Sequence, residues 1–276
     1  MKTKLCSALL LLLLGSPVGA VADDSAPASA GFAQRDWHVG ASVLYSSRSM
    51  DGSIVDRTPI RDDAFGSLVA TGDSMDLGTS DTFMLTLAAQ YRRWTFGLNY
   101  LPTSFSGEGT ALVTLDGGGG AGVTVRTPLK SDIDVDMLLA SVLYGVIRTP
   151  ESRLAVGVGL GRTAVDLSIV PEVGEPILYK GDQPFGFLSL QMANRHGAFL
   201  YGFGVNGISG SFEGVAIDYS DYKLDLGYRL VDRDYKLDLV GGYRQVNFSM
   251  DLEYGRDVVK TRVVLKGPFL GLSALY

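Results

Sequence analysis

Cysteine is almost missing from this chain of 276 residues: Cys6 stands alone, inside an apolar leader. With the leader cut away, no disulfide, thiolate nucleophile or cysteine-based metal site remains. Histidine is nearly as scarce, with only His38 and His196. Neither sits in a His-x-Ser step or an Asp-His pair that would serve general-base chemistry, so no catalytic residue is expected and the chain reads as a non-enzyme. Basic residues are outnumbered, 24 Lys and Arg against 30 Asp and Glu. The leader takes Lys2 and Lys4 with it and no acid, which moves the net charge from −6 to −8. That balance argues against nucleic-acid binding, which needs a basic stripe. Long apolar runs are absent beyond the leader, so a membrane could be crossed only by strands.

Cofactor motifs are lacking too. The Gly-rich run 116–120 has no Lys-Ser/Thr after it and no helix start, and it reads as a loop tip rather than a phosphate cradle. Asp132, Asp134 and Asp136 share a strand face but spread over about 13 Å, too far for one ion, so neither a metal nor a cofactor is expected.

Glycine, in contrast, is abundant at 35 residues, and aromatics make up 10%. With few helical patterns, this composition reads as all-β. Residues 1–22 read as a secretory signal: Lys2 and Lys4 form the charged region, a Leu-rich run follows, and Ala20-Val21-Ala22 fits the cleavage pattern. Residues 23–35 are a small, polar lead-in, and 36–276 carry strand after strand of alternating character.

Trp37, Val39, Ala41, Val43 and Tyr45 fall on one face, with His38, Gly40, Ser42 and Ser46 opposite. Phe83, Leu85, Leu87 and Tyr91 repeat the pattern, and Trp94, Phe96, Leu98 and Tyr100 follow after a turn at Arg92-Arg93. Short turns are expected near 92–93, 148–152, 195–197 and 232–233. Longer connections are expected at 47–80, 104–131, 171–183 and 211–214, with a brief one at 254–257. The row Ala155, Gly157, Gly159 and Gly161 leaves room for large neighbours. A switch of apolar parity after Gly161 suggests a bulge, and a similar shift follows Arg244. The strand 185–194 has no assignable facing.

The clearest alternation sets Tyr222, Leu224, Leu226, Tyr228 and Leu230 against Asp221, Lys223, Asp225 and Arg229. Its opening, Asp221-Tyr-Lys-Leu-Asp-Leu226, returns letter for letter at 234–239. Charges in such rows pair across strands and would be costly in lipid, so they fit the inside of a closed cylinder. The candidate lumen-lining residues are Asp134, Asp136, Arg162, Asp166, Asp221, Lys223, Asp225, Arg229, Lys236, Asp238 and Arg244. The fold class is therefore an all-β, closed antiparallel transmembrane β-barrel of about ten strands, with eight or twelve one hairpin away.

The chain ends on Leu270, Leu272, Ala274 and Tyr276, one apolar face of a terminal strand. With Gly271 five residues before the closing aromatic Tyr276, this ending resembles the C-terminal signal of Gram-negative outer-membrane β-barrels. It departs from that signal at Phe269, where a polar residue is usual. The last fifty residues, with Gly242-Tyr-Arg244 and the stretch 266–271, also resemble a small group of such barrels with no characterised role. The resemblance implies export through a cleaved signal peptide, a periplasmic lead-in and residence in the outer membrane. It implies as partners outer-membrane lipid and lipopolysaccharide, with the barrel assembly machinery during biogenesis; Gly271 and Tyr276 would belong to the assembly signal. Three functions fit this reading. One is a porin-like narrow passive channel for small solutes, or a largely plugged barrel; the second is a structural or surface-contact protein acting through its external loops; the third is a rim hydrolase of lipid or peptide.

Overall fold

A computed structural model describes residues 37–61, 64–71, 76–115, 123–172, 176–212, 215–254 and 257–276. The leader, the lead-in and the tip at 116–120 lie outside these residues. The named elements among the described residues are all strands: β1 (Trp37–Arg61), β2 (Ala64–Thr71), β3 (Ser80–Tyr91), β4 (Trp94–Leu115), β5 (Val123–Arg148), β6 (Ser152–Pro171), β7 (Ile177–His196), β8 (Phe199–Phe212), β9 (Val215–Asp232), β10 (Lys236–Tyr254) and β11 (Asp257–Leu275).

These strands close into an antiparallel β-barrel. β1 pairs with β11 from Gly40↔Leu275 to Arg57↔Val258, so the first and last strands form the seam. On its other side β1 pairs with β3 from Trp37↔Tyr91 to Arg48↔Ser80. Farther along, from Ser53 to Arg61, it pairs with β2 instead. β2 then pairs with β4 through Gly66↔Leu115 to Val69↔Leu112. β2 and β3 thus share one position in the wall, and the ring has ten positions. The even, tenfold barrel expected from the alternation is the one that forms.

The strands run past the connections expected from composition. Much of 47–80 is the outer part of β1 and all of β2, paired together, and β7 begins at Ile177, inside the segment 171–183. Polar residues alone do not make a loop; strands that leave an apolar layer keep pairing while their outer faces meet water.

That is also why the alternation changes after Gly161 without a bulge. Pairing of β5 with β6 is continuous there, and its one irregularity lies at Gly145/Ile147. Along β6 the outward row Val156, Val158, Leu160 continues as Arg162 and Asp166, while the inward row Ala155, Gly159, Gly161 continues as Leu167 and Ile169. β10 behaves the same way: Asp238 and Arg244 face inward and so do Val246 and Phe248, in one unbroken phase. The barrel reverses its polarity along its axis. Near the short turns it is apolar outside and polar inside; beyond, it is polar outside and apolar inside.

The apolar exterior forms a belt of about nine residues per strand, roughly 23 Å of height for a strand tilted by about 40°. Trp37, Val39, Val43 and Tyr45 on β1, and Tyr222, Leu224, Leu226, Tyr228 and Leu230 on β9, are all exposed, Leu226 by 63%. Aromatic pairs stand on the short-turn side, Trp37 with Tyr91 at 4.7 Å, Trp94 with Tyr144 at 5.1 Å and Phe199 with Tyr228 at 5.4 Å.

The turn from β3 to β4 is tight enough to hold Arg92 at a positive φ of 51°, and Gly197 takes φ 61° after β7. Pairing between β7 and β8 stops at Leu188↔Gly207, although both strands run on beyond it. The strand 185–194, ambiguous in sequence, turns Phe185, Phe187 and Ser189 inward and Leu188 and Leu190 outward.

Candidate functional site

The inside of the cylinder is the site that the sequence points to, and two layers fill it. The layer level with the apolar belt is ionic. On β9, Asp221, Asp225 and Arg229 point inward, joined by Asp238 and Arg244 from β10, and all five are buried. Arg244 donates from Nε to Asp221 Oδ1 at 2.8 Å and from its terminal nitrogen to Oδ2 at 2.6 Å. The same carboxylate accepts from Asn206 at 2.9 Å and from the Tyr219 hydroxyl at 3.2 Å. Arg229, directly opposite Asp238 across the strands, donates to its Oδ1 at 2.9 Å. Lys223 Nζ lies 2.8 Å from Asp225 Oδ1 and 5.0 Å from the Phe269 ring. Buried charges are tolerable only when paired; Asp221 and Asp238 are hydrogen-bonded as well, while Asp225 has the Lys223 ion pair alone.

Asp221, Lys223, Asp225, Arg229, Asp238 and Arg244 therefore stand where the alternation placed them. Lys236 also lies on the lumen side, opposite the inward Leu275 at the short-turn rim. The repeated hexapeptide does not face its copy. Asp234 falls in the turn before β10, and of the second copy's acids only Asp238 reaches the lumen.

The other four candidates are on the opposite side of the wall. Asp134, Asp136, Arg162 and Asp166 point outward, just beyond the belt, while Ile133, Val135, Met137 and Leu167 take the inside. The charges follow the water, and past the belt water is outside. They line an external groove of about 680 Å³ together with Lys180 and Asp182. Arg162 grips Asp182 with a 2.7 Å bond from Nε. Lys180 donates to Asp166 at 2.7 Å, and Tyr100 donates to Asp136 at 3.1 Å. The hydrogen bond from Arg162 holds the Asp182 carboxyl below its ordinary pKa, and that to Asp166 raises the Lys180 ammonium.

The second layer of the lumen is apolar and lies outward of the ionic one. Phe185 sits 4.7 Å from Tyr219 and 6.1 Å from Phe248, and Phe187 lies 5.8 Å from Tyr219, all between ring centroids. They pack with Ile133, Met137 and Leu265 into one buried cluster drawn from around the wall. The small row on β6 makes this layer possible. A Cβ at Gly161 would come within 2.3 Å of Phe185 Cζ, and one at Gly159 within 2.1 Å of Phe187 Cζ.

Several lumen residues escaped the sequence reading. Arg48 is 2% exposed and donates to Ser46 Oγ at 3.2 Å and to the Met84 sulfur. It continues the inward phase of Ser42 and Ser46, so extending that alternation two residues would have found it. Arg153 reaches in from β6 to Gln90 at 3.2 Å and to Thr95. Tyr219 has no such signal, because its neighbourhood is polar in sequence and its partners come from β7 and β10.

His38 and His196 lie on β1 and at the end of β7, both at the short-turn end of the barrel. Among the described residues, no group of three His, Cys, Asp or Glu is placed to hold a metal ion.

The two strands of the closing seam approach closely. Val39 and Tyr276 exchange both backbone hydrogen bonds at 2.8 Å. Gly271 lies opposite Leu44, where a Cβ would stand 2.1 Å from the Val43 carbonyl oxygen. Glycine at 271 thus has a packing reason of its own.

No family model matches the chain, and no curated protein matches it. Several solved structures share its outline. The outer membrane protease OmpT from Escherichia coli is 10% identical, covering 87% of this chain and 96% of that one, with a TM-score of 0.40. A Pseudomonas aeruginosa FadL homologue is 11% identical over 87% and 90% of the two chains, with a TM-score of 0.29. The outer membrane protein OprG from Pseudomonas aeruginosa is 10% identical over 87% and 95%, with a TM-score of 0.28. At such identities no residue role passes from them to this chain.

Proposed function

We propose that this chain is an integral barrel of the Gram-negative outer membrane that rests closed, and that it serves to hold a water-facing wall and its long hairpins outside the lipid. The leader delivers it across the inner membrane, and the aromatic-ended last strand is read by the barrel assembly machinery. The belt supports membrane residence: a continuous ring of exposed Leu, Val and aromatic side chains of this height matches the hydrocarbon thickness of an outer-membrane barrel. Lipid tails meet that ring, and the polar wall above it stands at the level of lipopolysaccharide sugars. The carrying observation is the filling of the lumen, paired charges in one layer and close-packed aromatics in the next. A ten-strand barrel has little interior beyond its own side chains, and here they occupy it.

Planar-bilayer recording tests this. The reconstituted wild-type barrel is expected to show no resolved openings, and thinning both layers together, by Phe185→Ala and Phe187→Ala with Arg244→Ala, is expected to create them. Regular wild-type openings whose ion selectivity changes in Arg244→Gln would overturn the closed reading. They would support instead a narrow channel for small solutes, which draws on the polar inward row Ser42, Ser46, Thr86 and Gln90.

A further inference from the structure

Two neighbouring turns at the short-turn end of the barrel gather arginines in a chain whose balance is acidic. Arg92 and Arg93 form the turn between β3 and β4; Arg148 ends β5 and Arg153 is the second residue of β6. These turns lie side by side because β4 and β5 are neighbours. They are tied together as well: Gly145 N–H donates to the Arg93 carbonyl at 2.7 Å, and the Arg148 guanidinium donates to the Arg92 carbonyl. Arg92 and Arg93 are exposed and Arg148 is half-buried, while Arg153 turns into the lumen behind them. The two turns carry four guanidinium groups and one carboxylate, Glu151, in a chain with six more acids than bases. Crowding like charges costs free energy, and an anion held among them offsets it.

The same corner is bounded on one side by aromatic rings. The Arg92 guanidinium lies 5.2 Å from the centroid of Tyr91. Trp37, Trp94 and Tyr144 stand next to it, exposed by 52%, 45% and 39%, at the lower edge of the apolar belt. A ligand that satisfies both halves carries an anionic head for the arginines and an apolar tail for the belt. Guanidinium groups fit the oxygens of a phosphate in bidentate fashion, and amphipathic aromatic rings settle at the headgroup level.

We propose that the corner formed by Arg92, Arg93 and Arg148 beneath Trp94 and Tyr144 binds the phosphate headgroup of an anionic phospholipid in the leaflet facing the short turns. This rests on the outer-membrane reading above. The bound headgroup fixes the depth and tilt of the barrel at this corner, while the acidic wall at the far end stays in water.

The test uses the full chain folded in zwitterionic detergent, titrated with phosphatidylglycerol or with phosphatidylcholine of the same acyl chains, and read by native mass spectrometry. Wild-type protein is expected to retain phosphatidylglycerol at least about tenfold more tightly. The variant Arg92→Gln, Arg93→Gln, Arg148→Gln is expected to lose that preference. A control with Arg195→Gln and Arg233→Gln, on other turns, is expected to keep it. Should the Gln variant fail to fold, the corresponding three Arg→Lys changes keep the charge, and an intermediate preference is expected from losing bidentate contacts. Equal binding of the two lipids by wild type overturns the proposal. Displacement of phosphatidylglycerol by equimolar inorganic phosphate also overturns it, because the tail would then contribute nothing. A chain that stays soluble without detergent defeats the membrane reading itself, whereas a detergent-requiring barrel with no lipid preference defeats only this site.

Discussion

Arg244 and Asp221 face each other inside the barrel through two parallel N–H to oxygen bonds, at 2.8 and 2.6 Å. They are not directly opposite in the sheet. Arg244 is aligned with Lys223, and Asp221 with Val246, so the pair is diagonal. The long arginine crosses from β10 to a carboxylate on β9 that Asn206 of β8 also grips. One carboxylate thus joins three strands of the wall.

Breaking this pair on one side leaves a buried charge without its counterpart. Asp221→Ala or Arg244→Ala is expected to destabilise the folded barrel by about 3–5 kcal/mol. The double change to neutral residues of similar size, Asp221→Asn with Arg244→Gln, is expected to cost less than either single truncation. Reversible urea unfolding in lipid vesicles measures this. A single truncation within 1 kcal/mol of wild type, on the order of an exposed pair, would contradict the ionic layer.

Gly161 and Phe185 form a size-complementary pair across β6 and β7. Gly161→Ala puts a methyl 2.3 Å from the Phe185 ring, and the three nearest atoms all belong to that ring. Overpacking of this kind typically costs about 1–3 kcal/mol. Phe185→Ala costs stability on its own, through lost burial. In the Phe185→Ala background, Gly161→Ala is expected to cost much less than it does in wild type. The same unfolding assay, arranged as a double-mutant cycle, would show no coupling if the two sites were independent.

Height along the barrel decides what a surface charge costs. Leu226 lies in the middle of the belt, so Leu226→Arg is expected to destabilise by about 2–4 kcal/mol, as arginine does on a lipid-facing strand at mid-bilayer. Ser104 faces outward beyond the belt, and Ser104→Arg is expected to change stability by less than about 0.5 kcal/mol. Equal costs at the two positions in a vesicle-based assay would remove the membrane from its proposed level.

Acid should release the exposed pair of Arg162 and Asp182. Hydrogen bonding from Arg162 lowers the folded-state pKa of Asp182. The contribution is therefore fully present above the ordinary carboxylate value near 3.9 and is lost as pH falls through the lowered one. Stability of wild type relative to Arg162→Gln is expected to be flat from pH 7 to about pH 5 and to shrink below about pH 4. A difference that instead grows toward acid would show that the arginine acts through another group.

Much of this was legible in the chain because a strand's side chains alternate with a period of two, whatever surrounds it. The belt residues from Trp37 to Tyr45 and from Tyr222 to Leu230 and the inward run Asp221, Lys223, Asp225 and Arg229 follow from that period, and the count of alternating segments put the barrel at about ten strands. What misled was the meaning of the apolar phase. The greasy residues change face after Gly161, which read locally suggests a bulge, and they change face again after Arg244. The actual cause is not local: the wall leaves the belt there, its outside becomes wet, and its inside becomes a core.

The alternation alone therefore determined that this protein is a closed antiparallel barrel and which residues share a face. Which face was the inside for Asp134, Asp136, Arg162 and Asp166, and that Phe185, Phe187, Tyr219 and Phe248 would meet across the lumen, was decided only by the assembled cylinder. A residue's neighbours along one strand fix its phase. Its environment depends on strands far away in sequence, and on how high above the belt the closed wall carries it.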